Sequence, residues 1–405
     1  MREVFMENSN RNLARSIAVI AFAFVLASVI FITCCFSAGS NVAHAAIDYK
    51  SVGKAAYLID SATGSVIYAR NEKERLPIAS MVKIMTALLT LEAVDNGEIT
   101  LDDDVTVSEE SAGMGGSQVF LDAGSTHKVR ELLKSVIVAS ANDSCVALAE
   151  HISGSTSAFV AKMNARAKEL GMNDTSFKNC TGLPQAESFS CAKDVAAMFS
   201  QLIKHPTYFE FAKIWMEDYQ HPSGRVTSIT NTNKLVRFYN GCDGGKTGFT
   251  SEAKFCLAAT AKRNDTRVIA VMIGADSSKN RNAAISAMFD HAFANYQNKI
   301  IVKAGDNIEN GIEVLGGKKS TLNVTVREDI AQFMSNNDTS AYEIKYELAT
   351  SVKAPVKAGD TVGKIYLVKD GVVQKEYDAI ANETVERMSL YDAIKELAKK
   401  WNIAA

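Results

Sequence analysis

Leu76-Pro-Ile-Ala-Ser80-Met-Val-Lys83-Ile-Met-Thr86 is the stretch from which this 405-residue chain is best read. Met81, Ile84, Met85, Leu88 and Leu91 recur at the spacing of an amphipathic helix, with Ser80 at or near its N-terminus. Unpaired N–H groups and the positive end of the helix dipole favour developing negative charge there. Residues i and i+3 share a helix face, so the Lys83 amine comes within reach of the Ser80 hydroxyl. A serine hydroxyl is a poor nucleophile until a base takes its proton. Lysine acts as that base only when burial and a second cation lower its pKa. Alone the pair means little, because S-x-x-K also starts at Ser51, Ser125, Ser190 and Ser251, and its ordinary meaning is a capped helix with a solvated lysine.

Two further strings change that. S-A-N stands at Ser140 to Asn142 and K-T-G at Lys246 to Gly248, about 60 and then about 100 residues further on. S-x-N recurs at Ser278 and Ser335, while K-T-G occurs once. In this order the three strings are the signature of serine acyl-transferases in which lysine takes the place of histidine as base. C-D-G-G-K-T-G-F-T reads as a strand after a turn. Lys246 is the natural second cation beside Lys83, and with the Thr247 hydroxyl it suits a substrate carboxylate. Gly245 and Gly248 leave the backbone bare, as expected where a substrate lies along a strand. G-K-T also ends a phosphate-binding loop, but Asn240 stands where that loop needs glycine, and a strand pattern follows. Ser140, between two helical stretches, suits a proton relay among Lys83, the nucleophile and the leaving group. Asn142 suits holding the substrate amide. Both are also N-cap residues, and the two roles are compatible. Arg281, in S-S-K-N-R after the strand pattern I-A-V-M-I-G-A, is expected to help bind the carboxylate; the competing expectation is a solvated arginine at a helix start.

Composition fits an exported enzyme. Arg2, Arg11 and Arg15 precede an apolar run from Ile17 to Phe36, and Ala43-His44-Ala45 followed by Ala46 is a cleavage pattern, so residues 1–45 read as a signal peptide. An uncleaved anchor is the alternative for so long a run. The net charge of −2 and evenly spread charges exclude a nucleic-acid-binding surface. Cys145, Cys180, Cys191, Cys242 and Cys256 follow the signal, an odd number that argues for mostly free thiols. Cys145 suits a helix core, and Cys242 with Cys256 flank a hairpin and would be the pair to bridge. The six histidines show no metal-ligand spacing and are expected on the surface or at core edges; no metal or cofactor is called for.

Lys54 to Ala69 reads as a hairpin turning at Ser61 to Gly64. Helical patterns run from Met81 to about Phe211, strands return at 246–250, 254–261 and 267–273, and Arg281 to Tyr296 is helical again. Strands enclosing a helical middle imply an α+β domain, an antiparallel sheet with helices on its faces, over residues 46–296. Short alternating runs from Ile300 to about Tyr377 imply a small all-β domain over 297–385. Residues 386–405 form a helix with Leu390, Ile394, Leu397 and Trp401 on one face and Asp392, Lys395, Glu396, Lys399 and Lys400 off it. Such a helix suits a membrane surface, the alternative being that it packs on its own domain.

The sequence resembles the D-alanyl-D-alanine carboxypeptidases, the low-molecular-mass penicillin-binding proteins of the S11 serine peptidases, from about Ile47 to Ala381. Besides the three motifs, the resemblance rests on A-Y-L-I-D-S-A-T-G at Ala56 to Gly64, L-P-I-A-S-M-V-K-I-M-T, N-T-N-K-L-V at Asn231 to Val236, and G-C-D-G-G-K-T-G-F-T-S-E-A at Gly241 to Ala253. It implies a penicillin-recognising transpeptidase-like domain, a β-rich domain and a membrane-associating helix. It also implies an enzyme at the outer face of the cytoplasmic membrane that removes terminal D-alanine from peptidoglycan stem peptides, with β-lactams as inhibitors. Ser80 would be acylated, Lys83 the base, and the N–H groups of Ser80 and Phe249 the oxyanion hole. The chain departs from the family pattern at Ala141, where glycine is usual, at Phe249, where several relatives carry histidine, and at S-F-S-C-A-K-D from Ser188 to Asp194. A class A β-lactamase shares the motifs, but no E-x-x-L-N string stands between Asn142 and Lys246. A non-catalytic penicillin sensor or wall-structural protein, and an endopeptidase of the same fold, are the remaining alternatives.

Overall fold

The computed structural model describes residues 49–336, 342–369 and 371–400. Everything described belongs to the second of two units, Asp48–Ala405. The expected leader over residues 1–45 lies outside the described residues, as does Trp401.

In chain order the first part comprises β1 (Ala55–Asp60), β2 (Val66–Arg70), a 3₁₀ turn Ala79–Val82, α1 (Lys83–Asp95), β3 (Asp104–Thr106) and β4 (Thr126–Lys128). Then come α2 (Val129–Val138), α3 (Asn142–Ser153), α4 (Thr156–Glu169), α5 (Ala192–Leu202) and α6 (Pro206–Ala212). β5 (Met216–Gln220), β6 (Val226–Thr230), β7 (Cys242–Thr250), β8 (Lys254–Arg263), β9 (Thr266–Ala275) and α7 (Ser278–Asn295) follow, with single helical turns at Glu109–Ala112 and Leu235–Phe238 besides. The sheet is antiparallel in the order β2-β1-β9-β8-β7. All six residues of β1 are buried, because both faces of the sheet are covered. On one face Leu58, Leu257, Val268 and Met272 meet Ile285, Met288 and Phe289 of α7. On the other, Tyr57, Ile59, Ile269 and Val271 join the core of α1, α2, α3 and α5. The α+β expectation therefore holds.

Several expectations need correction. The helix after Ser80 is not amphipathic: Lys83 to Leu91 and Ala93 are all buried, so α1 is the hub of the helical layer. A helix apolar all round is what such a position demands. The helical middle also contains the β3–β4 pair, and a β5–β6 hairpin follows it. Their strands are short and mostly exposed, so little apolar patterning marked them. Cys242 and Cys256 do not bridge: Cys242 lies opposite Ala261 and Cys256 opposite Gly248, and all five described cysteines are free and buried. His127 and His221 are not surface residues but buried, packed with Tyr219, whose hydroxyl lies 2.9 Å from His127 Nδ1.

From Tyr296 to Ala381 the described elements are all β: β10 (Tyr296–Val302), β11 (Glu309–Leu315), β12 (Thr321–Thr325), β13 (Ile330–Ser335), β14 (Tyr342–Leu348), β15 (Ser351–Lys353), β16 (Thr361–Lys369) and β17 (Val372–Ala381). β10 pairs with β13, and the other six form one sheet over a core of Val314, Leu322, Val324, Ile365, Leu367 and Ala379. The final helix, α8 (Leu390–Lys400), exposes Leu390, Tyr391, Ile394 and Leu397. Their own domain does not cover them. No described helix is long and apolar enough to cross a membrane.

Candidate active site

Ser80 sits in the 3₁₀ turn, one residue after Ala79, whose φ of 48° is left-handed. That strain is held by close packing from two sides. A Cβ on Gly182 would lie 2.1 Å from the Ala79 carbonyl oxygen, and one on Gly248 2.6 Å from that of Ile78. Gly248 is therefore bare because the turn carrying Ser80 packs on β7. Gly245 likewise faces Asn233 and the Ala258 carbonyl rather than open space for a ligand.

The structure brings all three strings together. Lys83 is fully buried, and its Nζ lies 3.1 Å from Ser80 Oγ, 2.6 Å from Asn142 Oδ1 and 2.5 Å from the Thr181 carbonyl oxygen. A neutral amine has two N–H donors and one lone pair. With the donors given to Asn142 and Thr181, the lone pair faces the Ser80 hydroxyl. Burial lowers the Lys83 pKa, against smaller opposing effects of Cys145, Cys180 and Asp143. Lys83 and Lys246 repel each other as cations, so the pair disfavours carrying two charges at once. Burial, then Lys83, and also Arg281 hold Lys246 well below the ordinary lysine range. Lys246 Nζ donates to Ser140 Oγ at 2.8 Å. Ser140 is itself left-handed, with φ 64°, at the junction of α2 and α3. Strain at a non-glycine residue persists only where its surroundings over-determine it.

Asn142 makes contacts that its sequence context does not show. Its Oδ1 is taken by Lys83, its Nδ2 donates to the Gly115 carbonyl at 2.6 Å, and the residue is buried. Both ends of the amide are engaged, so Asn142 is placed to orient the lysine, and one Nδ2 hydrogen remains beyond the bond to Gly115. Thr247 is nearly buried beside Lys246, whereas the Phe249 ring is 55% exposed and packs on Phe255 with centroids 4.4 Å apart. Arg281 is not a solvated arginine. It is buried in the first turn of α7, donating to the Cys256 carbonyl at 3.4 Å and to Asn282 Oδ1 at 2.9 and 3.0 Å. Burial lowers its pKa to about 10. Its positive charge is among the effects that lower the Lys246 pKa.

Thr181, the second acceptor for Lys83, was not foreseen. Asn179 Oδ1 accepts the N–H of Thr181 at 3.1 Å and of Gly182 at 2.6 Å, an Asx turn that aims the Thr181 carbonyl at the amine. Its trace in the sequence is Asn179-Cys-Thr-Gly182, a turn string without charge or period. A cleft of about 470 Å³ opens beside the Ser80 turn, lined by Ile78, Ala79, Gly182, Leu183, Thr250 and Glu252 among others. Among the described residues no group of histidine, cysteine and acidic side chains is placed to hold a metal.

An antiparallel sheet with helices on both faces, and a Ser-x-x-Lys pair at a helix start opposed by a second buried lysine from the edge strand, define an active-site serine peptidase of the penicillin-recognising fold. Residues 41–277 match the peptidase S11 family model, described as D-alanyl-D-alanine carboxypeptidase, and residues 296–387 match the C-terminal domain of penicillin-binding protein 5. The chain is 40% identical over 350 residues to the D-alanyl-D-alanine carboxypeptidase DacF of Bacillus subtilis, covering 86% of this chain and 90% of that protein. Among solved structures it resembles PBP3 of Streptococcus pneumoniae, with TM-score 0.68 and 28% identity over 83% of this chain and 99% of that one. Penicillin-binding protein 5 of Haemophilus influenzae is similar too, with TM-score 0.66 and 28% identity over 83% and 98%. The chain belongs to the S11 family of D-alanyl-D-alanine carboxypeptidases, which are serine-type hydrolases.

Proposed function

We propose that this enzyme removes the terminal D-alanine from peptidoglycan stem pentapeptides through an acyl-enzyme on Ser80, and that β-lactams block it by acylating the same oxygen. The observation that carries the reading is the Lys83 amine 3.1 Å from Ser80 Oγ, with its other two positions spoken for. Neutral Lys83 takes the hydroxyl proton as Oγ attacks the carbonyl of the D-Ala-D-Ala bond. The N–H groups of Ser80 and Phe249 receive the oxyanion; a backbone donor of this kind is worth roughly 3–4 kcal/mol. Ser140, hydrogen-bonded to Lys246, relays the proton held by Lys83 to the departing amine, which leaves as D-alanine and returns Lys83 to its neutral form. Lys246, Thr247 and Arg281 hold the terminal carboxylate, and the cleft beside Ala79 and Thr250 takes the acyl part. Water then attacks the ester, with Lys83 again as base.

Residues 1–45 serve as an export signal, 46–296 as the catalytic domain and 297–385 as a β-rich spacer. The segment 386–405 rests on the outer face of the cytoplasmic membrane, a reading supported by the exposed Leu390, Tyr391, Ile394 and Leu397 of α8. The test is hydrolysis of a D-Ala-D-Ala peptide by the enzyme and by Ser80→Ala, with mass spectrometry after penicillin treatment. Release of D-alanine should fall by on the order of 10⁴ or more in the variant, and the adduct should map to Ser80. An adduct on Ser51, Ser125, Ser190 or Ser251 refutes the assignment.

A further inference from the structure

Asp143 follows the S-A-N string in the first turn of α3, where an acid ordinarily does no more than face the helix dipole. It is fully buried, and its carboxylate turns to a neighbouring loop instead. Oδ2 accepts the N–H of Val119 and of Leu121, each at 3.1 Å, while Oδ1 accepts that of Ser144 at 2.9 Å. Acceptance of backbone N–H groups at both oxygens suits an ionised carboxylate, which has acceptors only. Phe120, between the two loop donors, is left-handed with φ 64° and has its ring exposed. Nothing in that residue favours such a conformation, and the carboxylate bonds on either side of it hold it there. Just before it the same loop touches the S-A-N string twice. The Ser117 carbonyl accepts the Asn142 N–H at 2.7 Å, and the Gly115 carbonyl accepts Asn142 Nδ2 at 2.6 Å. With Nδ2 fixed by Gly115, the amide presents only Oδ1 to Lys83.

We propose that Asp143 is a positioning residue for acylation: its carboxylate pins the 115–121 loop to the start of α3, and through that loop sets the Asn142 amide that orients Lys83. The proposal rests on Lys83 being the base. The groups facing Lys83 are Asp143, Cys145, Cys180 and Lys246, and those facing Asp143 are Lys83, Cys145 and Tyr219. Burial pushes the Cys145 thiol up to about 11 and raises Cys180 and Tyr219 further, so these stay neutral; burial raises the Asp143 pKa as well, opposed by the backbone N–H groups of Leu121, Ser144, Val119 and Phe120, which favour its carboxylate. That carboxylate stabilises the Lys83 ammonium, so removing its charge lowers the Lys83 pKa further.

The experiment measures the rate constant for acylation by a fluorescent penicillin from pH 5 to 10, a quantity independent of the fraction of folded protein. Asp143→Asn keeps the volume but turns an NH₂ group toward a backbone N–H. It should slow acylation about 10- to 100-fold, as misplacement of a reacting group does, and move the acidic limb to lower pH. Gly116→Ala attacks the same link from the exposed loop, since its Cβ would lie 2.8 Å from Asn142 Nδ2 at a φ of +80°. It should slow acylation with the acidic limb unmoved, because the charge remains. Wild-type rates in either variant overturn the proposal, and so does a slowed Asp143→Asn whose acidic limb stays in place, which would mark general loosening. If Asp143→Asn yields no folded protein, Gly116→Ala decides alone. Acylation that survives Ser80→Ala would overturn the underlying reading instead, and that result is distinguishable from all of these.

Discussion

Gly182→Ala is the perturbation that most directly tests how the nucleophile is held. The glycine adopts φ +79°, and an added Cβ would sit 2.1 Å from the Ala79 carbonyl oxygen and 3.0 Å from the Ser80 nitrogen. The left-handed conformation costs a non-glycine residue roughly 1–2 kcal/mol. Relieving the contact requires the Ala79 carbonyl to retreat by about 1 Å, and such overpacking adds roughly 1–3 kcal/mol. A total of about 2–5 kcal/mol corresponds to a fall in Tm of roughly 4–20 °C for a domain of this size. The catalytic effect follows from the same displacement. Ala79 precedes Ser80, so the nucleophile and its N–H move with the carbonyl, and a 1 Å misplacement costs about 10²-fold in rate. Thermal unfolding and the rate of acylation by a fluorescent penicillin measure the two effects on one sample. A variant that melts and acylates like the parent would refute the claim that Gly182 sets the Ser80 turn.

Lys83→Arg removes a base that can shed its proton, and D-alanine release should drop by on the order of 10⁴. In the parent, activity should rise with pH through an acidic limb below the ordinary lysine pKa of 10.5, since the buried amine must be neutral to act; a limb at or above that value excludes Lys83 as base. The same depressed pKa means that the unfolded state binds more protons at this site, so its contribution to stability grows as pH rises toward 10.5. Thr247→Val should raise KM for peptides with a free terminal carboxylate more than for their amides, and equal effects would remove carboxylate recognition from this residue. Deleting residues 386–405 should release the signal-processed enzyme from membranes with kcat on a soluble peptide unchanged. Truncated enzyme that still pellets with membranes would put the anchor elsewhere.

The cluster of Ser80, Lys83 and the opposing Lys246 was legible because each lies in a short string whose spacing has a local meaning. Ser80 and Lys83 meet through one helical turn, and a K-T-G strand presents Lys246 whatever surrounds it. The hairpin and the three strands of the sheet, and α7, were legible for the same reason, since period and turn residues are local. The β3–β4 and β5–β6 pairs were not, because short, exposed strands carry little apolar alternation. What each residue contacts was decided only in three dimensions. Asn142 was expected to hold a substrate amide, and only the folded chain shows that its own amide also bridges Lys83 and Gly115, 59 and 27 residues away. How completely Lys83 is buried lay equally out of reach, because burial is a property of the packed helical layer and not of the residues beside it in the chain. Gly248 makes the same point: its place in the motif was plain, but its bareness answers to Ile78, brought against it by folding. Local strings thus determine which chemical groups the chain carries and on which elements. Tertiary packing determines which of them become neutral, oriented and reactive, because hydrogen-bond partners and dielectric are set by neighbours far apart in sequence.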